Sequence, residues 1–216
     1  MPRIALLLSG CGNMDGSEIH ESVSAIIAID QKNWEIVFTA PDTKQTRTVS
    51  HFTGKDVSER DALQESARIA RGRIEPLNED LLSSIDAIVI PGGLGAATTL
   101  CDFATMGSSC KAHPTVENFL KNAHRKGIPI AAMCIAPALI ARIFPGASVT
   151  IGTDPDTAAK IQAMGCNHVD CSAEQVHVDH VNKIVTTPAY MAASGPAQVF
   201  QGALNMIEAL EELIPS

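Results

Sequence analysis

The sequence predicts an α/β protein with a mostly parallel sheet covered by helices on both faces. Two observations carry this. Short runs of consecutive aliphatic residues, Ile4 to Leu8 and Ile85 to Ile90, read as strands buried on both sides rather than on one. Each run ends in a glycine-rich turn, Ser9-Gly10-Cys11-Gly12 and Pro91-Gly92-Gly93, and a segment of helical periodicity follows. The 216 residues, 45% of them hydrophobic, suit one α/β domain spanning 1–216.

Taken in order, strand Ile4 to Leu8 leads to a helix from about Ser17 to Gln31, whose recurring Ile19, Val23, Ile26 and Ile27 are expected to face the sheet. Trp34 to Thr39 is the second strand, stopped by Pro41. Arg47 to Phe52 reads as a short edge strand in a peripheral excursion, followed by a helix over Ala62 to Ile69. Strand Ile85 to Ile90 opens through its glycines into a short helix, and Cys101 to Cys110 is loop-like. Pro114 to Lys126 is a helix stopped by Gly127, and the next strand carries Ile130 to Met133 into Cys134. Val149 to Ile151 is a short strand and Asp156 to Met164 a helix closed by Gly165. Strands near Val176 to Val178 and Ile184 to Thr187 and a terminal helix over Ala197 to Leu213 complete the chain.

Composition excludes several partners. A net charge of −8, no basic cluster and only 4% aromatic residues argue against a nucleic-acid surface. No apolar run approaches the roughly 20 residues of a membrane helix, and Met1-Pro2-Arg3-Ile4 passes directly into a strand, so a cytoplasmic protein is expected. Six scattered cysteines fit reduced thiols better than a disulfide framework.

The chemistry concentrates at three turns that should share one sheet edge: Gly10 to Ser17, Pro91 to Ala97, and Met133 to Pro137. Cys134 falls between strand and helix, where free helical N–H groups and the helix dipole should make it more acidic than an ordinary thiol. The competing reading is a small core residue. The glycine turn could present backbone donors to an anion, and Glu18 could hold the thiolate or move a proton. Glu18 also has a structural reading, as the third helical residue of a capping box with Asp15 as its cap. Gly10 to Gly16 approaches a dinucleotide fingerprint but spaces its last glycines by three residues rather than two. His168, Asp170, Cys171, His177, Asp179 and His180 are metal-ligand types, yet they lack a close cysteine pair or a His-Glu-x-x-His helix, and a solvated face is the simpler account. No metal is assigned.

Together, Ala131-Ala132-Met133-Cys134-Ile135-Ala136-Pro137, Pro91-Gly92-Gly93-Leu94-Gly95-Ala96 and Glu18 resemble the PfpI/ThiJ superfamily of class I glutamine amidotransferase-like proteins. Leu8 to Gly12, Asp15 to Glu21, Thr150 to Asp154 and Val185 to Met191 narrow the likeness to the ElbB-type glyoxalase family, over nearly the whole chain. The resemblance implies a flavodoxin-like three-layer sandwich with a strand-to-helix nucleophile elbow, forming a homodimer. It implies Cys134 as the reactive residue, Glu18 as its acidic partner, and the backbone of Gly93 and Ile135 as the oxyanion pocket. It further implies glutathione-independent conversion of glyoxal to glycolate on a small dicarbonyl substrate without a cofactor, with protein deglycase activity and an isoprenoid-biosynthesis naming also attached to the family. Many relatives place a histidine after the next strand, where this chain has Gly152-Thr153, so a Cys-His-Glu triad is not expected. His20 and Thr153 are the remaining pocket candidates. Two other classes stay open: a redox sensor oxidised at Cys134, and a ligand-binding module without turnover.

Overall fold

The structure, a computed structural model, describes residues 1–215. Its nine strands are β1 (Arg3–Leu7), β2 (Glu35–Ala40), β3 (Glu75–Pro76), β4 (Ala87–Ile90), β5 (Ile130–Met133), β6 (Ser148–Val149), β7 (Asn167–His168), β8 (His177–Asp179) and β9 (Ile184–Thr187). The α-helices are α1 (Ile19–Gln31), α2 (Ala62–Ile69), α3 (Leu94–Thr98), α4 (Phe103–Met106), α5 (Pro114–Arg125), α6 (Pro137–Ile143), α7 (Pro155–Ala163) and α8 (Pro196–Glu211). Seven strands form one sheet in the order β3-β2-β1-β4-β5-β9-β8. Only the β8–β9 pair is antiparallel. This is the flavodoxin-like α/β sandwich.

The aliphatic runs explain the two-sided covering. In β1 and the residue after it, Ile4, Leu6 and Leu8 join one core while Ala5 and Leu7 join the other, as the two-residue period of a strand requires. One core meets α1 and α8 through Ala25, Ala28, Ile29, Val199, Ala203 and Ile207. The other meets α5, α6 and α7 through Val116, Phe119, Leu139, Ile140 and Ile161.

Four local expectations are corrected. On α1, Ile19, Val23 and Ile27 are 44%, 42% and 42% exposed, and the sheet-facing stripe is Glu21, Ala25, Ala28 and Ile29 instead. Small residues let the helix approach the sheet closely, and this outweighs the larger apolar residues beside them. Residues 47–52 form no strand, only a loop closed by the isolated bridges Lys44–Asp61 and Val49–Asp56. The region 101–110 holds α4 and a 3₁₀ turn over Gly107–Ser109. The strand near Val149 leaves the main sheet and pairs with β7 in a separate two-stranded sheet.

The chain runs from β1 outward through β2 to β3, then returns to build β4, β5 and β9 on the other side. The direction of winding therefore reverses between β1 and β4. Connections leave a crevice at the carboxyl ends of the strands there, the usual ligand position in an open α/β sheet.

Candidate active site

The three turns named from sequence meet in this crevice, and the backbone fastens them. Glu18 N–H donates to the Gly92 carbonyl (2.9 Å), Leu94 N–H to Asn13 O (2.8 Å) and Gly95 N–H to Gly16 O (2.9 Å). Gly93 has φ +90°, and a Cβ there would stand 2.4 Å from Gly16 O, so the close approach needs glycine on two counts. A Cβ on Gly92 would stand 2.4 Å from Cys134 Cβ and 2.7 Å from Glu21 Oε2.

Cys134 follows β5 at φ +59°, a left-handed conformation that costs a non-glycine residue on the order of 1–3 kcal/mol and recurs at functional sites. Its N–H donates to Thr187 O (3.0 Å), which ties the elbow to β9. The side chain lies in hydrogen-bond reach of the Gly93 and Ile135 amides. Gly93 and Ile135 are the two positions that the family resemblance implied for an oxyanion pocket. The rest of the glycine turn is not an open anion cradle: Gly92 N–H donates to Glu21 Oε2 (2.8 Å), and the Leu94 and Gly95 amides serve Asn13 and Gly16.

The acid against the thiol is Glu21, not Glu18. Glu18 sits just before α1 in an extended conformation and caps it, its Oε2 accepting the Glu21 N–H at 2.7 Å. Helical geometry begins three residues later than the Asp15 capping box required, which turns position 21 toward Cys134. Asp15, fully buried, instead accepts the Val49 N–H (2.7 Å) and fixes the peripheral excursion to the first turn. Glu21 is itself fully buried. It faces the thiol, and its Oε1 accepts from Tyr190 N–H at 3.4 Å.

Burial sets the proton inventory. Loss of water pushes the Glu21 carboxyl up to about 7, with the Glu18 charge adding to the rise. Burial also pushes the Cys134 thiol up, and the facing Glu21 carboxylate opposes a second negative charge; the Gly93 and Ile135 amides pull the other way without prevailing. The acidic resting thiol expected from the elbow is thus overturned, because the dipole of a short helix cannot offset desolvation beside a carboxylate. Glu21 and Cys134 thus face each other as two buried acids, the carboxyl near neutrality and the thiol well above its ordinary range.

A cavity of about 620 Å³ opens over the pair, lined by Asn13, Glu18, His20, Gly93, Leu94, Cys134, Ile135, Tyr190 and Met191. His20 therefore reaches the pocket, its Nδ1 2.6 Å from the Tyr190 hydroxyl. Thr153 does not: it is exposed, lies outside the lining, and follows the displaced β6. Sequence reasoning missed Glu21 as the acid facing the thiol and Asn13, Leu94, Tyr190 and Met191 as cavity-lining residues. Tyr190 carried a signal, since it is the chain's one tyrosine and follows strand Ile184–Thr187 at the same sheet edge. Of the metal-ligand types, His168 Nε2 accepts the Ile151 N–H (3.3 Å), and Asp179 accepts from Ser148 N–H (2.8 Å) and from Asn182.

The sheet order, with a buried cysteine on a left-handed elbow faced by a glutamate from the first helix, belongs to an α/β fold shared with DJ-1-type structures. Drosophila melanogaster DJ-1beta shares the fold at TM-score 0.57 and 20% identity, covering 99% of this chain and 96% of its own. No family model matches the chain. Closer relatives do. The human mitochondrial "glutamine amidotransferase-like class 1 domain-containing protein 3" is 39% identical over 98% of this chain and 83% of its own, and the rat mitochondrial "ES1 protein homolog" is 38% identical over 98% and 84%. An Ehrlichia chaffeensis "isoprenoid biosynthesis protein with amidotransferase-like domain" superposes at TM-score 0.91 with 33% identity, over 99% of both chains. The chain belongs to this glutamine amidotransferase-like class 1, or ES1, family. Among the described residues no helix is long and apolar enough to cross a membrane.

Proposed function

We propose that the protein is a cofactor-independent glyoxalase that converts glyoxal or methylglyoxal to the 2-hydroxy acid. The observation that carries this reading is the Cys134–Glu21 pair beneath an open cavity, with two backbone amides beside the sulfur. In the proposed reaction Glu21 takes the thiol proton as Sγ adds to one aldehyde carbon, and the new alkoxide is stabilised by the Gly93 and Ile135 N–H groups and protonated. Loss of the C1 proton gives an enediol, and return of a proton at C2 gives the thioester of the hydroxy acid; water then releases the acid and restores the thiol. Glyoxal plus water becomes glycolic acid, with no oxidant consumed. Glu18, on the pocket wall at the solvent side of the pair, carries the proton between the two carbons.

The redox-sensor reading is weaker because peroxide attacks thiolates, and the resting Cys134 thiol is pushed up rather than down. In keeping with the resemblance, the proposed enzyme is a cytoplasmic homodimer, joined through the outer stripe of α1.

The test is direct detection of glycolate from glyoxal by wild type and Cys134→Ser, in buffer without primary amines or added thiols. Wild type is expected to form glycolate and the serine variant to lose at least about 10³-fold, as removal of a covalent nucleophile does. Full activity in Cys134→Ser would sink the scheme.

A further inference from the structure

The chain lacks the histidine that the family resemblance would place after β6, yet one histidine does line the cavity, from the start of α1. His20 lies in the first turn of α1, two residues after the Glu18 cap, and its Nδ1 is 2.6 Å from the Tyr190 hydroxyl. Tyr190 is placed with equal care. It follows Pro188 and Ala189 directly after β9, and Ala189 adopts φ +44°, a second left-handed non-glycine residue at the same sheet edge as Cys134. Its backbone N–H donates to Glu21 Oε1 (3.4 Å), so the main chain that presents the phenol also holds the acid of the thiol pair. Both side chains line the cavity beside Cys134.

We infer that the Tyr190 hydroxyl is a catalytic proton donor to the second carbonyl oxygen of the substrate, with His20 as its positioning residue. The inference rests on the glyoxalase reading and assigns the oxygen chemistry which that reading leaves unserved. Glu21 and the two amides attend the sulfur and the first oxygen, whereas the second carbonyl oxygen must gain a proton as the enediol forms. The Tyr190 proton goes to that oxygen. The phenol regains a proton from the C1 hydroxyl as the thioester forms, so none is gained or lost over the cycle. His20 with its proton on Nδ1 donates to the phenol oxygen and leaves the phenolic hydrogen free to point into the cavity. Burial and the neighbouring Glu18 and Glu21 charges push the phenol up, which keeps it protonated at neutral pH as a donor must be.

The experiment compares wild type, Tyr190→Phe, His20→Leu and the double variant with glyoxal. Glycolate is followed by NMR, and the Cys134 adduct by mass spectrometry of the quenched protein. Tyr190→Phe keeps the ring, and its thermal midpoint is checked against wild type. The expected result is a kcat lowered about 10²-fold with KM nearly unchanged, and an adduct that accumulates only in the variant. The double variant should be no slower than Tyr190→Phe, because His20 acts through the phenol. Wild-type kcat in Tyr190→Phe, or a Tyr190→Phe protein that forms no adduct while wild type turns over, would overturn the inference and leave the glyoxalase reading standing. If wild type forms neither glycolate nor adduct, both fall together.

Discussion

Glu21 is a carboxylate on the core face of α1, and its environment makes its charge costly to the fold. Its folded value of about 7 lies above the ordinary 4.5, so between those pH values the folded chain binds a proton that the unfolded chain has released. The stability linked to that proton is present in full below about pH 4.5 and is lost as pH rises through about 7. The full shift corresponds to about 3 kcal/mol. Glu21→Gln has no charge to bury, so its stability relative to wild type should rise across this window and level off above it, by up to about 3 kcal/mol. Urea midpoints of both proteins at pH 5 and pH 8 measure the difference. Equal shifts in the two proteins would mean that Glu21 does not titrate there. Catalytically the same change should be severe, because glutamine cannot take the thiol proton.

At the level of elements, the site is the product of three strand ends brought within hydrogen-bond distance, and Gly93 is where they touch most closely. Gly93→Ala would force a methyl group against Gly16 O and Glu18 N, both backbone atoms, in a conformation that alanine resists. A loss of ~2–4 kcal/mol in unfolding free energy is expected, with activity falling further because the Gly93 amide moves from the sulfur. An unchanged denaturation midpoint would refute the close contact. The central strands and their flanking helices were legible in the sequence, since aliphatic runs and glycine punctuation are local signals, and so was Cys134 at its elbow, whereas the two-residue β3 and β7, the short α4 and the strandless 47–52 loop were not. The acid was not, and α1 shows why. Its large residues Ile19, Val23 and Ile27 suggested a core face that in fact points outward, while Ala25, Ala28 and Ile29 form the real one. Glu21 stands on that real stripe at helical spacing, so a carboxylate on a small-residue face was the available signal. Tyr190 and Asn13 lie on turns at the legible sheet edge, but which side chains of those turns enter the cavity is settled by long-range packing that no local pattern encodes.

On the scale of the whole molecule, that misread stripe becomes informative. Ile19, Val23 and Ile27 recur at every fourth residue along the outer side of α1, each more than two-fifths exposed, while the inner side is sealed on the sheet and α8. A helix whose two faces are both apolar is expected to be covered twice, and three β-branched side chains in a row suit a self-complementary contact about a two-fold axis. The proposed homodimer supplies that cover from a second copy of the chain. Because α1 also begins at the pocket with Glu18 and His20, such a contact would border the site in both protomers. Val23→Asp places a charge at the centre of the stripe on an exposed position, where it should leave the monomer fold intact. Sedimentation at tens of micromolar should give a dimer for wild type and a monomer for Val23→Asp, with matching thermal midpoints when both are diluted below dissociation. A wild type that sediments as a monomer would remove the dimer from the proposal, and an aspartate variant that remains dimeric would place the interface elsewhere.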